Sequence, residues 1–229
     1  GEIIEENKKE IALKYFSSYI NGDLDAMFCY AMMIFTGDGI VKNQKEALRY
    51  FKIGCEQGHL GSMNQYAVIL HQGDIVPQNK KEALNYFQIS ADKGNVVAMY
   101  NYAFIHYKGD GIPINKEKAA KYFKKSADQG YIDSMNFYAC MRFDGDGIEK
   151  DQEEGTKYFK KAADEYDMNG MNMYAVRLYQ GEGCLVNKKE SLKYFKISAD
   201  NGNILAMVNY AYIHYTGECG EKNLFEAAK

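Results

Sequence analysis

The chain has no tryptophan, only two prolines, and no apolar run approaching the roughly 18–20 residues of a membrane span. It has no CxxC pair, and its five cysteines (Cys29, Cys55, Cys140, Cys184, Cys219) are odd in number and irregularly spaced. That excludes a disulfide framework and a zinc site of the usual spacing, and points to a reducing, cytoplasmic compartment. No secretory signal opens the sequence, whose start, "GEIIEENKKE", is polar and acidic. Neither sign of charge dominates: the net charge is −3 and the pI about 5.9, which argues against nucleic acid and anionic membrane surfaces as partners. Strand-like alternation is also missing. The scarcity of proline beside abundant Asn, Lys, Tyr and Ile points to an AT-rich genome. At 229 residues the chain is long enough to bury a core.

What is present is a repeat. "TGDGI" at 36–40 has echoes in "QGDIV" (72–76), "KGDGI" (108–112), "DGDGI" (144–148), "QGEGC" (180–184) and "TGECG" (216–220), each 36 residues after the last. Tyr30, Tyr66, Tyr102, Tyr138, Tyr174 and Tyr210 keep the same beat, each followed by Ala and preceded at three residues by Met. A Tyr-Phe pair recurs at 50, 86, 122, 158 and 194, and at 15 one residue out of step. A fixed period over a whole chain is the mark of repeat architecture.

Each unit carries two helical patterns. "VVAMYNYAFIHYKG" (96–109) places Met99, Tyr102, Ala103 and His106 on one face and stops at Gly109. "NKEKAAKYFKKSADQG" (115–130) opens on the cap residue Asn115, buries Ala119, Phe123, Ser126 and Ala127, and stops at Gly130. Asn43, Asn79, Asp151, Asn187 and Asn223 each have Glu three residues on, a capping-box arrangement, while the third unit has Lys118 there. Gly58, Gly94 and Gly202 repeat the second stop; Tyr166 replaces it once, so the helix end there should differ locally. The fold class is therefore all-α, with helical hairpins stacked so that neighbours share a continuous core. Residues 1–229 read as one repeat domain. It has a lone second helix at 6–21, hairpins at 24–57, 60–93, 96–129, 132–165 and 168–201, and a partial hairpin at 204–229. Because the sequence starts and stops partway through a unit, it is expected to be a fragment of a longer solenoid, able to self-associate through uncapped ends.

Units of this form resemble Sel-1-like repeats, relatives of the tetratricopeptide repeat with a longer joint inside the hairpin. The resemblance rests on Ala98, Tyr102-Ala103, Tyr107, Gly109-Asp110-Gly111, Ala119, Tyr122-Phe123, Ser126-Ala127 and Gly130 with their echoes, and covers essentially the whole chain. It implies an α/α right-handed solenoid acting as a scaffold or adaptor for a protein or peptide. Departures are Ile75 and Cys219 at the second joint glycine, Gly155 and Ser191 at the core alanine, and Tyr166. The joints at Ile75 and Cys219 are expected to depart from their neighbours.

Ligand chemistry finds little support. The joint follows a helix and lacks the strand and lysine of a phosphate loop. The nearest calcium-loop register, from Asp144, puts Ile148 and Glu149 at positions 5 and 6 and Gly155 at 12, where ligands and glycine are required. The joint glycines read as turn residues, with the acid facing the amides of the next helix. Some relatives are linked to β-lactam binding, and "SADK" at 90–93 has the Ser-x-x-Lys form. Its echoes "SADQ" and "SADN" make Ser90 a small core residue. His106 and His214 share one repeat position and read as packing residues, and the cysteines as small buried ones. No cofactor, metal or catalytic residue is expected. The lysine run Lys116, Lys118, Lys121, Lys124 and Lys125 reads as a solvated outer face.

The resemblance also implies that first helices line a concave binding face. One residue after each Met stand Phe28, Asn64, Tyr100, Asn136, Asn172 and Val208; five after it, Met32, Val68, Phe104, Cys140, Val176 and Tyr212. Eight after it stand Phe35, His71, Tyr107, Phe143, Tyr179 and Tyr215, which either face a ligand or pack on the next repeat. The expected partner-binding residues are Phe28, Asn64, Tyr100, Phe104, Asn136, Asn172 and Tyr212, with asparagine amides pairing to an extended peptide. Two other readings stand beside the scaffold: a regulatory or spacer arm for a catalytic domain such as a kinase, and a β-lactam-binding hydrolase.

Overall fold

The structure is a computed structural model that describes residues 2–218 and 222–227, with side chains described over 6–218 and 222–225. Among the described residues every regular element is a helix. The chain packs as two units, Gly1–Ile105 with Gly109–Pro113, and His106–Lys108 with Ile114–Lys229. In the first unit α1 (Glu2–Ile20) packs on α2 (Leu24–Thr36), followed in order by α3 (Gln44–Glu56), α4 (Leu60–Gln72) and α5 (Lys80–Asp92). The second unit stacks α7 (Lys116–Ala127), α8 (Ile132–Asp144), α9 (Gln152–Asp164), α10 (Met168–Gln180), α11 (Lys188–Asp200), α12 (Ile204–Thr216) and α13 (Leu224–Ala227) in the same sequential way. The division falls within α6 (Val96–Lys108).

The invariant positions are the core. Met27, Met63, Met99, Met135 and Met171 are buried, and Ala31, Ala67, Ala103, Ala139 and Ala175 are fully so. Tyr30, Tyr66, Tyr138 and Tyr174 each meet the tyrosine of their own hairpin's Tyr-Phe pair edge-on, from 4.8 Å between Tyr138 and Tyr158 to 5.6 Å between Tyr30 and Tyr50. Close approach between hairpins is set by small residues. A Cβ on Gly54 would stand 2.2 Å from Ser62 Oγ, and one on Gly170 would stand 2.6 Å from Ala162 Cβ. Ser90 is one of these small residues: it is fully buried and donates to Leu60 O at 2.9 Å.

The second helices start as the capping signal predicts, with one change. Asn43, Asn79 and Asn187 accept from the backbone N–H three residues on. Their own backbone N–H groups, however, close the joint onto Ile34 O, Leu70 O and Leu178 O. The glutamates therefore accept from the asparagine side-chain amides, at 2.7–3.0 Å. Asp151 has no such amide, and Arg142 takes over, bonding Asp151 at 3.0 Å and Glu154 at 2.5 Å. The Glu226 side chain lies outside the described residues.

The joint acid does not face the next helix. At four of the six joints it is held by the preceding repeat. Lys8 reaches Asp38 (2.5 Å), Lys80 reaches Asp110 (2.5 Å), Lys116 reaches Asp146, and Lys188 reaches Glu218 (3.1 Å), always 30 residues back. A second grip comes from 39 residues back: His71 on Asp110 (2.8 Å), Tyr107 on Asp146 (2.8 Å) and Tyr179 on Glu218. The Lys80 and Lys116 ammoniums hold Asp110 and Asp146 below the usual carboxylate range. Where the lysine is replaced by glutamine and the 39-back residue is Phe, the charged grip and the second grip are both lost. Glu182, opposite Gln152 and Phe143, turns instead to Arg177 of its own repeat at 2.6 Å. Asp74, opposite Gln44 and Phe35, has neither grip.

Joint 2 is also the one that departs, as Ile75 predicts. Gly39, Gly111, Gly147 and Gly183 have φ between +70° and +79°, whereas Ile75 is not in the left-handed region. The bond from Asp38, Asp110, Asp146 or Glu182 N–H back into the first helix is absent at Asp74 among the described residues. The other exceptional joint, at Cys219, lies outside the described residues.

Tyr166 overturns its expectation. It adopts the glycine conformation, φ +59°, and the helix end keeps its bonds: Tyr166 N–H to Ala163 O and Asp167 N–H to Ala162 O, matching Gly58 to Cys55 and His59 to Gly54. The stacking contact across Gly170 fixes the path, so the backbone holds and the residue carries the strain. Left-handed backbone costs a β-carbon-bearing residue roughly 1–2 kcal/mol, and glycine gives part of that back as unfolded-state entropy. With Tyr166 76 % exposed, little packing is lost on removal. Tyr166→Gly is expected to raise stability by about 0.5–1 kcal/mol. A lower urea midpoint for the variant would contradict the strain account.

Two other expectations change. Cys55 alone of the described cysteines is buried; Cys29 and Cys184 are half-buried and Cys140 is exposed. Lys124 is not a solvated outer lysine. Its ammonium lies 2.7 Å from Tyr158 O–H and 3.3 Å from Glu154, over the Tyr138 ring at 5.2 Å. Burial works against its charge, but these partners win and raise its pKa.

Candidate interaction face

The first helices present their face through three rows of side chains, and geometry separates the rows. The row eight residues after Met is a packing row except at Tyr215, which is 58 % exposed. His71, Tyr107 and Tyr179 are spent on the joint acids of the next repeat, and Phe143 is buried beneath the Arg177 guanidinium at 3.6 Å. The other two rows are largely half-exposed, and the sequence-predicted residues lie in them.

In the first unit, Phe28 is half-buried between Phe51 and the His59 ring, 6.0 and 5.2 Å away. Asn64 accepts from Asn101 Nδ2 at 2.9 Å. Tyr100 and Phe104 stack at 6.0 Å, one helical turn apart, and both are half-exposed. In the second unit, Asn136 donates to Asp167 at 2.8 Å, and Tyr212 is 57 % exposed. Asn172 is only 4 % exposed, and its oxygen accepts from Asn209 Nδ2 at 3.1 Å. It supports the face rather than forming it. Asn101 and Asn209, two residues after Met, were not anticipated. Their signal was available: each is an asparagine with another asparagine 37 residues earlier, and the two amides bridge successive first helices.

Charge is unevenly distributed. On α8 and α10 the two arginines are tied down, Arg142 to Asp151 and Glu154 and Arg177 to Glu182. The exposed charges there are Asp133 and Asp144, while the lysines of this unit sit mainly on second helices.

One cluster imitates hydrolytic chemistry. His59 Nε2 lies 2.9 Å from Asp25, and Nδ1 lies 2.8 Å from Ser62 Oγ. Yet Ser62 is fully buried against Gly54, and His59 Nδ1 accepts the Ser62 backbone N–H at 3.1 Å. The histidine is the N-cap of α4, and the hydroxyl has no path to a substrate. Ser90 is equally enclosed. No group of three or more His, Cys, Asp or Glu among the described residues is placed to hold a metal ion, and no described helix is long and apolar enough to cross a membrane.

Sel1 repeats are matched at 24–59, 61–95, 96–131, 132–167, 169–203 and 204–229. The chain belongs to the Sel1 repeat family. That family is one of protein–protein interaction scaffolds. Solved structures agree on the fold. A protective antigen of uropathogenic Escherichia coli with an SLR fold aligns with TM-score 0.86 and 22 % identity over 97 % of this chain, which spans 51 % of the antigen's. A Sel1 repeat protein from Oxalobacter formigenes aligns with TM-score 0.78 and 21 % identity over 95 % of this chain and 94 % of its own. An immunity protein from Pseudomonas aeruginosa aligns more distantly, with TM-score 0.52 and 17 % identity over 90 % and 74 %. Comparison with curated protein sequences finds no match. The chain is thus an all-α solenoid of Sel1 hairpins.

Proposed function

We propose that this Sel1 chain is a non-catalytic scaffold that holds an extended protein segment against its first helices. The observation that carries this reading is the contrast between rows. Residues that fix the stack are buried and repeat without change, whereas Phe28, Asn64, Tyr100, Phe104, Asn136 and Tyr212 vary from repeat to repeat at positions left wholly or partly open. Half-exposed aromatics offer contact area at small entropic cost, and asparagine amides suit a peptide backbone.

The test is a double variant on α6, Tyr100→Ser with Phe104→Ser. Affinity capture from source cells followed by mass spectrometry should identify a partner retained by the parent chain and lost, by about tenfold or more, from the variant. Circular dichroism must show unchanged helicity. An identical partner set on both chains would remove the face from consideration and leave the spacer-arm reading in its place.

A further inference from the structure

We propose that the groove between the starts of α2 and α4 is a seat for an arginine side chain of the bound protein segment; this deepens the scaffold reading and rests on it. The groove has a volume of about 610 Å³, and its lining includes Leu24, Asp25, Phe28, His59, Leu60 and Gly61. All six are wholly or partly open, and the Asp25 side chain is 92 % exposed.

Asp25 and Phe28 stand three residues apart on α2, so they share one face of the helix. The Phe28 ring is held between Phe51 at 6.0 Å and the His59 ring at 5.2 Å. His59 Nδ1 accepts the Ser62 backbone N–H, so the ring proton lies on Nε2 and is donated to Asp25 at 2.9 Å. That bond aims the carboxylate without neutralising it. Gly61 keeps the groove open: a Cβ there would stand 3.4 Å from Phe28 Cζ and 3.0 Å from His59 Cε1. In the other first helices the same position holds Asp25, Val97, Asp133, Asn169 and Leu205. An acid, an aromatic ring three residues on and a facing glycine therefore coincide only between α2 and α4.

The surrounding charge selects a cation. Asp23 and Glu56, next in sequence to the lining, are exposed acids, while Asp92 and Lys93, near Asn95 at the far end, are of opposite sign. The starts of α2, α4 and α6 offer little to an anion, because Asp23, His59 and Asn95 already cap them. A guanidinium lies flat on a ring while its edge bonds a carboxylate, which a lysine ammonium does less well. The chain uses that chemistry itself: Arg177 stacks on Phe143 at 3.6 Å and bonds Glu182 at 2.6 Å.

The test records the backbone amide shifts of His59 and Gly61 in the whole chain, titrated with acetyl-Ala-Ala-Arg-Ala-Ala-amide. The seat predicts saturable shifts at both residues. Binding should be about tenfold weaker for the citrulline-centred peptide, which keeps the shape and loses the charge. Asp25→Asn, which can still accept from His59, should weaken binding by the same factor. Gly61→Val puts on α4 the residue that α6 carries at this position, and should abolish binding with helicity unchanged. Absence of any shift, equal binding of the citrulline peptide, or binding that survives Gly61→Val overturns the seat. If the peptide fails while partner capture still depends on Tyr100 and Phe104, the seat is wrong and the scaffold stands. If the peptide binds as predicted while capture ignores Tyr100 and Phe104, the α6 face fails and the seat stands.

Discussion

Truncating Phe123 to alanine lowers the unfolding free energy by about 3–5 kcal/mol. The side chain is fully buried, stacked on Phe137 of α8 and against the Tyr107 ring at 6.4 Å. Its removal leaves a hole between α7 and α8 that rigid helices cannot close, and each helix in a stack is secured only by its neighbours. Lys124, the next residue, gives the internal scale. A fully solvated lysine would leave stability unchanged. Held by Tyr158 and Glu154 but with its side chain 42 % exposed, its truncation is expected to cost about 0.5–1 kcal/mol. Because the chain lacks tryptophan, urea unfolding is best followed by circular dichroism. Equal midpoints for the two variants would mean that the assignment of core and edge faces on the second helices is wrong.

The fold was open to reading because burial repeats. Within each unit successive hairpins pack alike, so Met, Tyr and Ala recur at fixed positions, with the Met and Ala buried through the fifth repeat, and selection for packing shows up as a period. Pairings between hairpins were harder to see, since a lysine and an acid 30 residues apart look like ordinary surface charges. The exchange was nonetheless written in the sequence. Where Lys8, Lys80, Lys116 and Lys188 give way to Gln44 and Gln152, the 39-back residue is Phe35 or Phe143, with no polar group to offer. Lys124 was misread for the same reason: a run of lysines on one helix spans faces with different surroundings. Tyr166 failed differently, because φ is set by the packing of α9 on α10, which local residue preference does not encode. At the candidate face, sequence placed the open rows but could not say that Asn172 is enclosed, which depends on Asn209 reaching back from the next helix.

Replacing Gly183 by alanine should cost about 2–4 kcal/mol, for two separable reasons. Its φ is +70°, which any β-carbon strains. A Cβ there would also stand 2.1 Å from Gln152 O and 2.6 Å from Thr156 Oγ1, inside the start of the preceding second helix. Thr156 itself donates to Glu182 O at 2.9 Å, so the joint and that helix are bonded face to face and neither can retreat cheaply. Gly58 isolates the first cause: its φ is +83°, but nothing lies within 4 Å of an added Cβ. Gly58→Ala should therefore cost only about 1–2 kcal/mol. The difference between the two alanine variants measures how tightly consecutive repeats are pressed together at the joint. Equal losses would reduce the second joint glycine to a turn residue. A larger loss at Gly183 makes it the point where one repeat is seated on the next, which fits the different course of the joint where Ile75 stands in its place.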